Sequence, residues 1–367
     1  MTNLRIPGPT PCPPEVLAAM GRQMINHRGG EFQKTVLSVT AKLKKLMLTE
    51  NDVFLLTGSG TGGLEAAIVN TVSPGDKVLA VSIGVFGDRI ANIAKTYGAD
   101  VTVLKSEWGK AANPNEIKAA LDKDPSIKAV LVTHNETSTG VTNDLKAISD
   151  TIRPYNKLFI VDAISSIGSI ELPVDAWGVD ILVTGAQKSW MVPPGIAMVA
   201  ISKKGWEAIA VCKTPRFYWD FGKAKKYLEK GGQTPWTPAV SVIQALDVSL
   251  SMMIEEGLEN IIARHTKLGK ITREGVKALG LKLFADEKFA SNTVTAILAT
   301  DGLDAKTLNK IMREEYDIVL SGGQMELEGK IFRIGHLGWV NEAEIKAVLV
   351  ALKSALPKAG FTGAMQL

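Results

Sequence analysis

Cysteine and histidine are scarce in this sequence of 367 residues, which contains two cysteines and four histidines. Two cysteines cannot make a disulfide framework, and the histidines do not have the spacing of a zinc site. We therefore expect no bound metal and a reducing compartment, the cytoplasm. Long apolar runs are also missing. No segment approaches the roughly 20 residues of a membrane span, and the N-terminus lacks the apolar stretch of a signal peptide.

A strong excess of either charge is absent as well. The 42 basic and 38 acidic residues give a net charge of +4, which is too small and too dispersed to indicate binding to nucleic acid or to a membrane surface. The apolar fraction of 46% and the charged fraction of 22% are ordinary for a globular protein. At roughly 100–200 residues per domain, the length predicts two domains.

Short apolar runs alternate with helical stretches along most of the first 200 residues. This alternation predicts an α/β fold in which a mostly parallel, seven-stranded sheet carries helices on both faces. The predicted strands span residues 53–57, 78–83, 101–104, 129–133, 158–162, 181–184 and 196–201.

The two ends of the chain differ from this middle part. Prolines at positions 7, 9, 11, 13 and 14 predict an extended, non-helical arm over residues 1–20, because each ring fixes φ and restricts the preceding residue. Beyond residue 240 the pattern becomes helical with an interruption at Gly257. We therefore expect a large domain over residues 21–255 and a smaller C-terminal α+β domain over residues 256–367. The small domain should contain strands at 293–298, 318–320 and 331–334 and helices at 304–315 and 341–356.

An amine and a carboxylate follow successive predicted strands. Asp162 ends the strand at 158–162, and Lys188 lies just past the strand at 181–184. Ligands of an open α/β sheet bind beyond the carboxyl ends of its strands, where both side chains should lie. Pyridoxal phosphate needs a lysine for its aldehyde and a carboxylate for its pyridine nitrogen. The pair therefore indicates a pyridoxal phosphate site, although a lone lysine after a strand is more often a surface charge.

A glycine-rich loop at residues 58–63 follows the first predicted strand and opens a helix. Its spacing matches a dinucleotide-binding loop, which leaves a nicotinamide-dependent dehydrogenase as an alternative of another class. The acidic residue that would hold a ribose is missing after the second strand. The hydroxyls of Ser59 and Thr61, together with the N–H groups of the helix start, favour a single phosphate. Phe86 could cover a flat ring by stacking.

Further motifs lie in a fixed order along essentially the whole chain. They are Gly8-Pro9, the stretches at 57–66 and 133–140, Val161-Asp162-Ala163, Gln187-Lys188, Pro193-Pro194-Gly195 and Arg333-Ile334-Gly335. Together they resemble the class V aminotransferases of fold type I, in the branch that contains alanine–glyoxylate and serine–pyruvate aminotransferases. Several ordered motifs are far more specific than any one of them.

The resemblance implies how the coenzyme is held. Lys188 would carry the aldehyde, Asp162 would pair with the ring nitrogen, Phe86 would stack on the ring, and Thr137 would lie beside the ring. The residues implied to receive the phosphate are Ser59, Gly60, Thr61 and Gln187, with Thr237 reaching across from a second subunit. A homodimer with a shared active site follows.

The resemblance also implies the reaction. The amino group of alanine or serine would pass to glyoxylate or pyruvate through aldimine and ketimine intermediates at Lys188. Arg333 and Gly8 would contact the substrate, since a planar guanidinium binds a carboxylate through two parallel hydrogen bonds.

Several alternatives remain open on the sequence. An aspartate-type aminotransferase would need a second cation, for which Arg28 and Arg216 are the candidates, and no motif fixes either of them. We expect instead a monocarboxylate pocket narrowed by Trp190 and by Trp236 of a second subunit, with Thr234 the least secure of the bridging residues. A cysteine desulfurase would need a mobile, activated thiol, for which neither cysteine has a loop signal. A scaffold without activity is hard to reconcile with the lysine, the carboxylate and the arginine all being present.

Overall fold

A seven-stranded sheet forms the centre of the computed structural model, which describes residues 2–364. In chain order the strands of all the sheets in the described residues are β1 (Asn3–Leu4), β2 (Asp52–Thr57), β3 (Lys77–Ser82), β4 (Asp100–Lys105), β5 (Ala129–Thr133), β6 (Asn135–Glu136), β7 (Val141–Thr142), β8 (Leu158–Asp162), β9 (Ile181–Gly185), β10 (Ile196–Ile201), β11 (Val294–Leu298), β12 (Ile318–Val319), β13 (Ser321–Gly322) and β14 (Ile331–Gly335). The central sheet has the order β2-β10-β9-β8-β5-β3-β4. In this sheet β10 runs antiparallel to both neighbours and the other pairs are parallel. The predicted sheet is therefore confirmed.

Helices cover both faces of the central sheet, as predicted. In chain order they are α1 (Pro14–Met20), α2 (Gly30–Met47), α3 (Gly60–Thr71), α4 (Val85–Thr96), α5 (Pro114–Lys123), α6 (Leu145–Ile152), α7 (Lys203–Val211), α8 (Phe221–Gly231), α9 (Val240–Glu256), α10 (Leu258–Ala278), α11 (Ala305–Tyr316) and α12 (Glu342–Lys358). Val130 of β5 packs in the core shared with α2 and α9, whereas its neighbour Leu131 packs in the core shared with α3 and α4. Within residues 2–364 no helix combines the length and apolarity needed to cross a membrane.

The C-terminal part is a smaller sheet with its own core. Strands β11, β14 and β13 form an antiparallel sheet packed with α11 and α12. Gly257 has a φ of +85° and separates α9 from α10, at the interruption that the sequence predicts. The pattern does not predict β13, because a two-residue strand carries no apolar alternation. The domain boundaries at residues 20 and 255 stay predictions.

The N-terminal arm contacts both the C-terminal part of the chain and a helix beside the central sheet. Strand β1 pairs in parallel with β12, and α1 then packs against α9. The helix begins at Pro14, because proline is tolerated in the first helical turn, where its missing N–H has no partner to lose. The prediction that the arm cannot be helical is therefore wrong for residues 14–20.

Candidate active site

Asp162 and Lys188 lie at the carboxyl edge of the central sheet. Asp162 ends β8, and its Cα pairs in register with Thr133 of β5 and Val183 of β9. Strand β9 ends at Gly185, and Lys188 follows it in a turn. The ends of adjacent parallel strands thus bring the carboxyl and the amine to one side of the sheet, as the sequence predicts.

The Lys188 amine is enclosed by the N-terminal arm. Its Nζ donates a hydrogen bond to the Pro7 carbonyl oxygen, and a Cβ atom added to Gly8 would lie 2.5 Å from Nζ. Thr10 donates through Oγ1 to the Lys188 carbonyl oxygen at 3.0 Å. Burial, followed by the charge of Arg333, lowers the pKa of Lys188 to about 8. The amine is therefore partly unprotonated near neutral pH.

Asp162 is a buried carboxyl with few partners. One of its oxygens accepts the backbone N–H of Ile164 at 3.0 Å, and the residue is 3% exposed. Burial raises the pKa of Asp162 to about 7, and the charge of Glu136 adds to the rise. A carboxyl held in this state gains stability from a cationic partner, which a protonated pyridine nitrogen would provide.

The glycine-rich loop turns directly into α3. Ser59 caps this helix, its hydroxyl accepting the Gly62 N–H at 3.4 Å. A Cβ atom on Gly60 would lie 2.5 Å from Cδ1 of Ile164, and one on Gly62 would lie 3.0 Å from the Trp219 indole. The loop backbone thus lies too close to its neighbours for larger residues. Thr61 Oγ1 accepts a hydrogen bond from Arg89 at 3.4 Å.

Phe86 is fixed at the start of α4 by a buried carboxylate. Glu136 accepts the backbone N–H groups of Phe86 at 3.0 Å and Gly87 at 3.1 Å, and it also binds the Ser138 hydroxyl. These bonds satisfy donors that a helix start leaves free. The guanidinium of Arg89 lies 4.5 Å from the centre of the Phe86 ring. Glu136 therefore orients the start of α4.

Arg333 projects from β14 into the same region. Its Nε donates to the Gly322 carbonyl at 2.9 Å, and its Nη1 donates to the Thr137 carbonyl at 2.8 Å and to Gln324 at 3.4 Å. No residue in the described part of the chain accepts a hydrogen bond from Nη2. Burial lowers the pKa of Arg333 to about 10, so the side chain stays charged at neutral pH. Thr137 thus meets Arg333 through its backbone.

Two predicted phosphate residues behave differently. The Gln187 Oε1 is buried and has no hydrogen-bond partner in the described residues. Thr237, by contrast, is exposed. The neighbouring Trp236 stacks on Phe217, with ring centres 5.0 Å apart, and Phe217 is 70% exposed. Thr237 is therefore directed away from the rest of its own chain.

Three side chains considered for the pocket are engaged elsewhere. Trp190 is completely buried in the core and donates to Thr184 at 2.9 Å, so the prediction that it narrows the substrate pocket is wrong. Arg216 donates to backbone carbonyls around the C-terminus of α7. Arg28 donates to Gln233 and to the carbonyls of residues 234 and 235. Both arginines are thus engaged in hydrogen bonds within their own chain.

The sequence did not point to several residues that shape the site. Pro7 contacts Lys188, Ile164 and Trp219 press on the glycine loop, and Arg89 lies between Thr61 and Phe86. Arg89 is three residues beyond Phe86 on one helix, which is a spacing that places side chains on one face. That spacing was a usable signal, whereas the other three contacts join segments distant in sequence.

The residues present fit pyridoxal phosphate. A buried carboxyl of raised pKa suits the ring nitrogen, and a lysine of lowered pKa suits the aldehyde. The start of α3 suits the phosphate end of the molecule, because a helix start offers N–H donors and a favourable dipole to an anion. In residues 2–364 no group of three or more His, Cys, Asp or Glu side chains is arranged to hold a metal ion.

A family model and two of the three relatives named below agree with this chemistry. The family model described as aminotransferase class V matches residues 3–331. A soluble hydrogenase small subunit from a Synechococcus strain is 45% identical over 98% of this chain and 94% of its own. An L-aspartate–glyoxylate aminotransferase from Paracoccus denitrificans is 40% identical over 92% and 87%. A serine–glyoxylate aminotransferase from Arabidopsis thaliana is 36% identical over 98% and 91%.

The fold is also that of a solved aminotransferase. The crystal structure of ureidoglycine–glyoxylate aminotransferase from Bacillus subtilis superposes with a TM-score of 0.93 at 30% identity, over 99% of this chain and 95% of that one. Family match, fold and site chemistry agree with one another. The chain therefore belongs to the class V aminotransferases of fold type I and is a pyridoxal phosphate-dependent enzyme.

Proposed function

We propose that this aminotransferase moves an amino group from a small L-amino acid, alanine or serine, to glyoxylate or pyruvate. The observation that carries the proposal is the convergence of Lys188, Asp162 and Arg333, since the charges of Asp162 and Arg333 both act on the pKa of Lys188. Relatives named for serine–glyoxylate and ureidoglycine–glyoxylate transamination support glyoxylate as the acceptor.

Lys188 and Asp162 would divide the proton chemistry. When bound, pyridoxal phosphate supplies an aldehyde that condenses with amines and a protonated ring that accepts electrons. Lys188 would hold the aldehyde and then, as a free amine, move the proton at the substrate α-carbon. Its lowered pKa makes it an effective base near neutral pH. Asp162 would hold the proton on the ring nitrogen, with Phe86 stacked on the ring and Thr137 at its edge.

Arg333 would bind the α-carboxylate that amino acids and keto acids share. Its bonds to Gly322 and Thr137 fix the guanidinium plane, and they leave Nη2 directed at no group in the described part of the chain. A fixed guanidinium with a free edge binds a carboxylate at low entropic cost. Gly8, which touches Lys188, would line the substrate space beside it.

A monocarboxylate donor is favoured over a dicarboxylate. Arg28 and Arg216, the two arginines considered for a second carboxylate, are hydrogen-bonded within their own subunit. An unpaired second carboxylate in a buried site would cost several kcal/mol. The Paracoccus relative is nevertheless named for aspartate, so aspartate belongs in the test.

Steady-state kinetics on a panel of substrates tests the proposal. Alanine, serine, aspartate and glutamate should each be paired with glyoxylate, pyruvate and 2-oxoglutarate. We expect the highest kcat/KM for serine or alanine with glyoxylate. A higher kcat/KM for aspartate or glutamate would contradict a monocarboxylate pocket.

We further propose a homodimer in which Thr237 of each subunit completes the phosphate site of the other. The exposure of Thr237 and of the aromatic side chains beside it supports this, because exposed aromatic clusters mark contact surfaces.

We also propose the reducing cytoplasm as the compartment of this protein. The two cysteines are both free, which is in keeping with that compartment.

A further inference from the structure

Arg89 is a cation at the edge of the site that neither the fold nor the reaction already described accounts for. It lies on the first turns of α4 and donates one hydrogen bond, through Nη1, to the Thr61 hydroxyl. In residues 2–364 no carboxylate lies within salt-bridge distance of its guanidinium. The nearby Asp88 pairs with Lys105 and binds Ser82 instead, and Glu65 accepts the Tyr97 hydroxyl. A guanidinium has five N–H donors, so most of those on Arg89 are free for a ligand.

The position of Arg89 restricts what that ligand can be. The guanidinium is held on one side by the Phe86 ring, 4.5 Å away, and on another by Thr61 in the first turn of α3. It therefore stands beside the unpaired N–H groups of a helix start, where the helix dipole also favours an anion. Arg333 approaches the site from β14, in the small sheet, and is anchored to Gly322 and Thr137. The two arginines thus belong to different ends of the site.

The electrostatics of the site agree with this placement. Burial is the main cause of the pKa shifts of Lys188 and Asp162, and the charge of Arg89 lowers the pKa of both. Arg89 is therefore close enough for its charge to be felt at both reacting ends of the coenzyme. An anionic group bound beside Arg89 would offset the effect of the Arg89 charge on these two pKa values.

We propose that Arg89 binds the phosphate of the coenzyme, together with Thr61 and the start of α3, and holds the Phe86 ring flat by stacking on it. The proposal rests on the proposed place of the phosphate at residues 59–61. It assigns Arg89 to the coenzyme rather than to a second carboxylate of the substrate. An arginine is suited to this double task, because its plane stacks on an aromatic face while its edge donates to phosphate oxygens.

Binding of pyridoxal phosphate and of pyridoxal, which lacks the phosphate, provides the test. Coenzyme-free wild type, Arg89→Gln and Arg89→Lys are titrated with each compound, and bound ligand is followed by absorbance. Arg153→Gln is the matched control, because Arg153 is exposed and donates to a backbone carbonyl far along the chain. Thermal unfolding of each variant establishes that it is folded.

We expect Arg89→Gln to raise the Kd for pyridoxal phosphate by about 10- to 100-fold, the range for a lost charge-assisted contact, with little change for pyridoxal. Arg89→Lys should lie between, and Arg153→Gln should match the wild type. An equal loss for both compounds in a folded variant, or no loss for either, would overturn the proposal.

Steady-state kinetics at saturating coenzyme tests the alternative, in which Arg89 binds a second carboxylate of the substrate. If Arg89→Gln lowers kcat/KM for aspartate while serine is unaffected, Arg89 binds a distal carboxylate and the present assignment is wrong. If the wild type itself transaminates none of the donors, the proposed function fails, whereas the comparison of the two Kd values still decides the role of Arg89.

Discussion

Lys188 and Gly8 are in such close contact that a Cβ atom at residue 8 would lie 2.5 Å from the lysine Nζ and 2.7 Å from its Cδ. Gly8 also has a φ of +131°, which side chains disfavour. We expect Gly8→Ala to displace the Lys188 side chain and to reduce covalent attachment of the coenzyme sharply. Absorbance of the reconstituted protein and borohydride labelling of Lys188 measure the effect.

A second glycine separates this contact from backbone strain. Gly329 also has a positive φ, +74°, but a Cβ atom there would meet nothing within 4 Å. Gly329→Ala should therefore also place a side chain at a positive φ, but it should keep normal coenzyme attachment. Normal labelling in Gly8→Ala would show that the arm does not constrain the lysine.

Lys188→Ala should abolish transamination, because it removes the amine that holds the coenzyme and moves the substrate proton. Borohydride reduction of the wild-type holoenzyme should tag one peptide, the one that contains Lys188. The variant should still bind the coenzyme without covalent attachment. A tag on any other lysine contradicts the assignment.

The ionised carboxyl of Asp162 should lower the free energy of unfolding of the coenzyme-free protein, although the reaction needs that carboxyl. Its pKa is raised from 3.8 to about 7 in the folded state, so between about pH 4 and 7 the folded state binds more protons than the unfolded state. The free energy of unfolding therefore falls as the pH rises through that window. Asp162→Asn removes this charge, and at pH 8 the coenzyme-free variant should be more stable than wild type by about 1–3 kcal/mol.

Urea unfolding at pH 4.5 and pH 8 checks this sign. The difference between variant and wild type should nearly vanish at the lower pH, where the wild-type carboxyl is already neutral. The holoenzyme of the same variant should lose activity by orders of magnitude, since an amide cannot keep the ring nitrogen protonated. A variant that is less stable than wild type at pH 8 would show that burial does not set the pKa of Asp162.

Arg333→Lys should keep the charge and lose the planar edge. We expect KM to rise about 10- to 100-fold for both the amino acid and the keto acid, the range for one lost charge-assisted pair. The coenzyme absorbance should not change. Arg273→Lys is the control, because Arg273 is half-buried and, like Arg333, donates a hydrogen bond to a backbone carbonyl. An unchanged KM in Arg333→Lys would remove Arg333 from the substrate site.

The predictable parts of the molecule are those encoded in local sequence. The strands that end at Asp162 and before Lys188 are buried throughout, so they appear as continuous apolar runs whose carboxyl ends can be located. The contacts of Trp219 with the glycine loop and of Pro7 with Lys188 join distant segments, and no local pattern marks them. The prediction that Trp190 narrows the pocket is also wrong for lack of a local pattern. An isolated tryptophan has no periodic spacing of apolar residues that would distinguish a core position from a pocket position.

The proposed dimer would cover a face of exposed aromatic side chains, whose contact with water is unfavourable in a single chain. Phe217 is 70% exposed and Tyr218 is 44% exposed, and both stack on Trp236, beside Thr237. If Thr237 completes the site of the opposite subunit, Thr237→Glu should weaken coenzyme binding by placing a negative charge beside the phosphate. Thr307→Glu, at another exposed threonine, should have no such effect.

Mixing two defective variants decides whether the site is shared between subunits, when activity is assayed at a coenzyme concentration too low to saturate Thr237→Glu. Lys188→Ala and Thr237→Glu are each prepared alone, combined under mild denaturant and allowed to reassociate. In a hybrid dimer with shared sites, one site carries both defects and the other carries neither, so activity should recover to about a quarter of the wild-type value when subunits mix at random.

If each site were built from one subunit, both sites of the hybrid would remain defective and no activity would return. Substituting Thr307→Glu for the second variant controls for losses during the procedure, since about half of the sites in that mixture stay intact whether or not subunits exchange. Failure of the two defects to complement, in a sample whose native mass spectrum shows hybrid dimers, would confine the site to a single chain.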